Sequence, residues 1–268
     1  ADISVMTKFE DWFGKSSRLE LTTTFRCPQK ISDTASSFVS KNPSQIKKSV
    51  RSAQTKSDLP VRLLRCETQA QGLLSYLQAI SDALAKGKLK PGPTGRVTVD
   101  VLGRNNKDKE VMPKVLPENL DVNFRTVHKS KGLEADVIII VNASSRPPGF
   151  PSTIVDDPVL ALVMATADDF AHAEERRLFY VALTRAKLRV TILTEAGWES
   201  PFVIELSADP NVEQRYLEGT KTHQIKLCEE CKIGQEVMRQ GPYGEFPSCS
   251  RFPACKGKPV QAGDPHLR

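Results

Sequence analysis

The 268-residue sequence lacks several features that would have assigned it to a large protein class. It has no phosphate loop of the form G-x-x-x-x-G-K-[ST], which excludes a self-sufficient P-loop ATPase. No apolar run approaches the length that crosses a bilayer, so we expect no membrane partner. The polar N-terminus has neither the basic start nor the apolar stretch of a signal peptide. Because the sequence does not begin with methionine, we expect a piece of a longer chain.

The composition is that of an ordinary globular protein, with 39% apolar and 26% charged residues. The net charge is +6, and the isoelectric point is about 9.0. This modest basic excess fits a nucleic-acid partner, but a merely soluble basic domain fits it equally well. We predict a cytoplasmic, nucleoid-associated location.

Predicted strands alternate with predicted helices along most of the chain. Helices are expected from Pro28 to about residue 40, over 67–87 with a cap at Gly87, from Asp157 and Pro158, and over about 172–186. The run DVIIIVNA (136–143) is typical of a strand buried on both faces of a parallel sheet. The pattern predicts an α/β domain over residues 1–205. A linker (206–224), a cysteine module (225–260) and a tail (261–268) follow.

Three segments carry candidate chemistry. In TVHKSKGLEADVIII (126–140) a loop with one glycine, Gly132, follows a strand; an ordinary surface loop would read the same way. In HAEERRLFYVALTRAK (172–187) the acidic first turn and the basic end suit the helix dipole. Arg185 ends an apolar helical stripe, where a phosphate would be a suitable partner. In LTTTFRCP (21–28) Arg26 follows a predicted strand, and Phe25 can stack on a base or fill the core.

Taken in this order, LTTTFRCP, TVHKSKGLE and EERRLFYVALTRAK resemble motifs IV, V and VI of the UvrD/Rep-type superfamily 1 helicases. The resemblance covers about residues 1–200 and implies the second RecA-like motor domain, called 2A. Only about 100 residues separate motifs IV and V, so the 2B subdomain that family members insert there looks absent or vestigial.

The resemblance also implies roles for individual residues. ATP with Mg²⁺ would bind between this domain and an N-terminal RecA-like domain that supplies the phosphate loop and the Mg²⁺ ligands. Arg26 and Arg185 would contact the γ-phosphate and stabilise the charge that develops in phosphoryl transfer. Phe25 would stack on adenine, and Gly132 and Glu134 would lie at the nucleotide.

Single-stranded DNA is the implied partner of the other end of motif V. Thr126 and His128 would touch the strand, and Lys129 and Lys131 would either contact phosphates or remain solvated. The implied activity is ATP-dependent 3′-to-5′ helicase action, with this chain inactive by itself. The alternative is a non-catalytic DNA-binding or partner-binding protein built on a degenerate helicase domain.

Four cysteines near the end form the pattern C-x2-C, seventeen residues, C-x5-C; they are Cys228, Cys231, Cys249 and Cys255. Without a secretory signal this spacing indicates a Cys₄ zinc site, and so short a region would fold only with its metal. The module resembles the zinc ribbon of bacterial type I topoisomerases. Tyr243, Phe246 and Arg251 alternate aromatic and basic groups as a base-stacking surface does, although the aromatics can equally pack a small core.

Overall fold

The computed structural model describes residues 4–17, 19–46, 49–54, 60–92, 95–146, 148–152, 170, 172–222, 226–231, 234–241, 244–249, 252 and 255–257. Its helices are α1 (Ser4–Thr7), α2 (Phe9–Phe13), α3 (Gln29–Val39), α4 (Gln69–Ala85), α5 (Ala173–Leu183) and α6 (Pro201–Ser207). Short 3₁₀ turns cover Asn106–Val111 and His128–Ser130. The helix predicted to start at Asp157 and Pro158 lies outside the described residues.

Six parallel strands form the main sheet. They are β3 (Val61–Cys66), β4 (Val97–Gly103), β5 (Leu120–Thr126), β6 (Ala135–Ile140), β7 (Ala186–Glu195) and β8 (Val212–Tyr216), in the order β5-β4-β6-β7-β3-β8. The two-residue strands β1 (Thr23–Thr24) and β2 (Arg51–Ser52) pair separately. The predicted strand through LELTTTF is therefore limited to β1.

Apolar residues cover both faces of the sheet, which is why its central strands are continuous apolar runs. On one face α3, α5 and α6 meet through Phe38, Phe179 and Phe202, whose ring centroids lie 5.0–5.5 Å apart. On the other face α4 packs Leu73 and Leu77 against the sheet. The predicted fold class, an α/β domain with a RecA-like parallel sheet, is confirmed.

The ends of α4 follow the sequence pattern closely. Thr68 caps its N-terminus by accepting a hydrogen bond from the backbone N–H of Gln71 at 3.4 Å. Gly87 has a φ of +67° just after the helix, as expected of the predicted cap.

The segment between the sheet and the cysteine module is more ordered than a linker. Residues 212–216, inside the stretch predicted as a linker, form β8, which pairs with β3 as the outermost strand of the sheet. The cysteine module contains the hairpin of β9 (Glu236–Gly241) and β10 (Gly244–Cys249). The predicted domain bounds as a whole stay a prediction. Among the described residues no helix is long and apolar enough to cross a membrane.

Candidate nucleotide and nucleic-acid sites

The TVHKSKGLEADVIII segment runs from the carboxyl ends of the parallel strands to their amino ends. We call these two sides of the sheet the carboxyl edge and the amino edge. Thr126 ends β5 at the carboxyl edge, whereas Glu134 immediately precedes β6 at the amino edge. The seven-residue strand β4 between them separates the two edges by about 20 Å, at roughly 3.3 Å per residue. The sequence placed the whole loop at a carboxyl edge; that interpretation is wrong for Gly132 and Glu134, because the chain must return to the amino edge to start a parallel strand.

Four charged side chains from three segments meet at the amino edge. We call Arg26, Glu134, Arg185 and Lys187 the amino-edge cluster. The Nε atom of Arg26 donates to Glu134 Oε2 at 2.9 Å, and Lys187 Nζ lies 3.1 Å from Glu134 Oε1. These two partners lower the pKa of Glu134, with the Arg26 hydrogen bond first. Three cations around one exposed carboxylate leave a net positive cluster that suits an anionic ligand.

Arg185 lies just beyond α5, in the turn that leads into β7. Its Nε donates to the carbonyl oxygen of Val181 at 3.0 Å, which fixes the guanidinium at the helix end. Burial, and then the nearby Arg26, lower the pKa of Arg185. This half-buried guanidinium therefore carries a charge that is only partly compensated, as a phosphate-binding arginine must.

The two remaining nucleotide candidates flank the cluster and leave space open. Gly132 has a φ of +82°, and a Cβ placed on it would meet no atom of the described residues within 4 Å. A glycine is needed at this position, because a positive φ strains residues that carry a Cβ atom. Phe25 is 78% exposed, so the core-filling interpretation is wrong and its ring face is free for contact.

The carboxyl edge holds a second polar group, which we call the carboxyl-edge cluster: Arg104, Thr126, His128 and Glu175. Arg104, directly after β4, binds Glu175 of α5 through Nε at 2.9 and 3.0 Å and through Nη2 at 2.8 Å. His128 is exposed, and its pKa is lowered first by desolvation and then by the nearby Arg104 and Lys131 charges. Helix α5 thus starts at this cluster and ends at the amino-edge cluster.

The three DNA candidates here differ in exposure. Thr126 is only 8% exposed, and its Oγ1 accepts a hydrogen bond from the backbone N–H of Lys129 at 3.4 Å. Thr126 therefore positions the turn, while His128 and Lys129 present their side chains to solvent. Sequence reasoning missed Arg104 and Glu175 as partners, since their contact joins segments that are 71 residues apart.

The four module cysteines converge on one point. Their sulfur atoms all lie within 4.8 Å of one another, with Cys228–Cys255 at 3.8 Å and Cys231–Cys249 at 3.7 Å. A tetrahedron of thiolates around zinc, with Zn–S bonds of about 2.3 Å, has edges of about 3.8 Å. The donor set and its spacing fit such an ion. The other two cysteines, Cys27 and Cys66, are buried in the sheet domain, as expected of small core residues.

The cysteine module places two exposed aromatic rings near a half-buried arginine of the hairpin. Phe246 is 47% exposed and lies directly opposite Arg239 across the strand pair. The Arg239 guanidinium also stands 5.8 Å from the ring centroid of Phe252, which is 51% exposed. We call these three residues the ribbon patch. Two further candidates, Tyr243 and Arg251, lie outside the described residues.

Residues 117–196 match the family described as UvrD-like helicase C-terminal domain. The family match covers the segments that resemble motifs V and VI, whereas LTTTFRCP lies outside it. The chain is 34% identical over 203 residues to DNA helicase IV of Escherichia coli (strain K12). The aligned region covers 76% of this chain but only 28% of that relative. A solved structure of the C-terminal domain of a possible DNA helicase from Lactobacillus plantarum WCFS1 aligns with a TM-score of 0.41 and 16% identity, covering 71% of this chain and 98% of the other.

Proposed function

We propose, from the premise that this chain carries a UvrD-like helicase C-terminal domain, that it is the second motor domain of an ATP-dependent 3′-to-5′ DNA helicase. In this proposal it completes an ATP site in trans and grips single-stranded DNA. The observation that supports it is the amino-edge cluster. Two arginines that the motifs single out, Arg26 and Arg185, lie beside one carboxylate although 159 positions separate them in the sequence.

Each member of the cluster has a task in phosphoryl transfer. Arg185, held by the Val181 carbonyl oxygen, offers a positioned guanidinium to the γ-phosphate. Arg26 offers a second one once a phosphate competes with Glu134 for it. Positive charge that is already in place stabilises the charge developing in the transition state without reorganisation. Phe25 and Gly132 leave room for the base and the ribose beside the cluster.

Helix α5 supports a link between nucleotide and DNA. Its eleven residues span about 16 Å and connect Glu175, at the carboxyl edge, with the turn that holds Arg185. A shift of this rigid element on nucleotide binding would therefore be felt by Arg104 and His128. Mg²⁺ would be held by the partner RecA-like domain, since this sequence has no phosphate loop. Zinc, held by the four cysteine thiolates, would stabilise the ribbon.

The decisive test is the Arg185→Ala variant of the full parent protein that contains this chain. We expect the rate of DNA-stimulated ATP hydrolysis to fall by about 10³-fold or more, with a much smaller change in nucleotide affinity. The matched control is Arg96→Ala, which removes an exposed arginine that precedes β4 at the same edge. Hydrolysis at the normal rate in the Arg185 variant would refute the trans-arginine role.

The alternative, a non-catalytic binding protein on a degenerate domain, rests on the absence of a phosphate loop. A degenerate domain has no need to keep two arginines beside one exposed carboxylate, so the cluster favours the motor. The parent protein distinguishes the two functions directly. DNA-stimulated hydrolysis that depends on Arg185 supports the motor, and DNA binding without any hydrolysis supports the alternative.

A further inference from the structure

The cysteine module is fastened to the sheet domain at one particular edge. Gln235 is 2% exposed, and its side-chain Nε2 donates a hydrogen bond to the backbone carbonyl oxygen of Glu199. The chain leading into the module is tied down as well, because the N–H of Lys221 donates to Glu67 Oε1 at 2.7 Å. Both contacts lie at the carboxyl ends of strands, since Glu67 follows β3 and Glu199 follows β7.

We call the contact between Gln235 and the Glu199 carbonyl oxygen the joint. A buried ion pair holds the Glu199 side of this joint in place. The Glu199 carboxylate accepts a hydrogen bond from Arg65 Nε at 3.0 Å, and both side chains are almost completely buried. The Arg65 guanidinium also lies 5.2 Å from the ring centroid of Tyr216 in β8. A backbone carbonyl anchored by such a pair gives Gln235 a fixed partner, so the module is held in place on the domain.

The joint therefore shares an edge with the DNA candidates of the sheet domain. His128 lies past β5, and Glu199 lies past β7, three strands away in the sheet. At about 4.8 Å between neighbouring strands the two points are roughly 14 Å apart along this edge. The amino-edge cluster lies at the opposite edge and faces none of this surface.

An arginine lies on an aromatic ring next to Glu199. Arg146 follows β6, its side chain is 54% exposed, and its guanidinium lies 4.0 Å from the ring centroid of Trp198. The pair offers an exposed guanidinium that is held over a half-buried indole ring. Its ion pair with Glu195, at 3.2 Å, is at the surface, where competition from a phosphate costs little.

We propose that the Arg146–Trp198 pair and the ribbon patch extend the carboxyl edge into one continuous surface for single-stranded DNA, with Gln235 as its joint. This deepens the proposed function, because it rests on DNA binding at His128. Exposed rings that alternate with cations are the chemistry that binds single strands without sequence preference. Phe246 and Arg239 share a face of the hairpin, since directly opposed residues on paired strands point the same way.

The test measures binding of the zinc-loaded 268-residue chain to labelled oligo-dT strands of about 4 and about 16 nucleotides. Wild type should bind the long strand at least about tenfold more tightly, since several sites are engaged at once. Arg146→Ala and Phe246→Ala should each weaken long-strand binding by about 5- to 150-fold. Arg146→Ala should also reduce the salt slope by about 1, whereas Phe246→Ala should leave the slope unchanged.

Two further variants keep the joint itself testable. Gln235→Ala should retain one zinc per chain and short-strand binding, yet lose the long-strand advantage. The control is Met238→Ala, which removes an exposed side chain of the same hairpin that alternates with Arg239 and so points to the other face. It should bind both strands as wild type does.

The outcomes separate this inference from the proposed function. If His128→Ala weakens binding while Arg146→Ala and Phe246→Ala do not, the extended surface is refuted and the DNA grip of the sheet domain stands. If Gln235→Ala keeps the long-strand advantage, the joint is refuted. Tighter binding of an RNA strand than of DNA would overturn the assignment of the ligand. Failure of wild type to bind either strand would contradict the proposed DNA grip itself.

Discussion

Removing the Glu199 carboxylate should cause a large loss of stability, because it breaks a buried ion pair. Glu199 is 1% exposed and Arg65 is 3% exposed, and their side chains are joined at 3.0 Å. Among the residues that the structure describes, Glu199→Ala leaves the buried guanidinium with Gln214 Oε1, at 3.2 Å, and the Tyr216 ring as partners. Breaking one side of a buried pair costs roughly 3–5 kcal/mol of unfolding free energy.

That loss is large against the total stability of a domain, which is about 5–15 kcal/mol. For a domain of this size it corresponds to a fall in Tm of about 6–20 °C, at roughly 2–4 °C per kcal/mol. Urea unfolding followed by tryptophan fluorescence is a direct assay. Trp198 precedes Glu199 and reports on this region, whereas Trp12 is 56% exposed and should change little.

Two controls test the reasoning. Lys41→Ala removes a half-exposed partner of Glu205 and should cost no more than about 1 kcal/mol. The double variant Arg65→Met with Glu199→Leu removes both charges and should recover most of the stability, because no unpaired charge remains. A loss below about 1 kcal/mol in Glu199→Ala, or no recovery in the double variant, would refute the assignment of a buried pair that supports the joint.

Three other predictions concern the two edges and the metal. Glu134→Gln should strengthen binding of tripolyphosphate to the chain by about fivefold, because Glu134 lies 2.9 Å from Arg26 and repels a phosphate bound there. Two unit charges about 4 Å apart in water interact by about 1 kcal/mol. Calorimetry checks this against the equally charged control Glu118→Gln, and unchanged affinity contradicts it. The pKa of His128 is lowered in the folded chain, so folding favours its neutral form. Its contribution to stability is therefore fully present above the ordinary histidine pKa and is lost as pH falls through the folded pKa. An NMR titration should give a midpoint below that of a histidine peptide, and a raised midpoint would overturn this prediction. A chelator should release one zinc ion and expose four thiols that react fast with a thiol reagent, while the two buried thiols of the sheet domain react slowly. Six equally reactive thiols would contradict a zinc site at the four module cysteines.

Much of the fold could be predicted from local pattern. The continuous apolar run of β6 follows from burial of both faces of this strand. The apolar stripe of α4 follows from burial of one face of this helix. The edge strand β8 was missed because VEQRY is polar and exposed on an outer strand, so no apolar run marks it. Resemblance to a family identifies Arg26 and Arg185, whereas spacing alone cannot join them, because 159 positions separate them in the sequence.

The sequence by itself determined which residue types were available: two motif arginines, a glycine that tolerates positive φ, and four cysteines at zinc-ribbon spacing. Only the tertiary structure decided where they stand. A parallel sheet sends the chain from one edge back to the other before each new strand. It therefore placed Glu134 at the edge opposite Thr126 and brought the Gln235 joint to the edge of His128, which spacing along the chain cannot reveal.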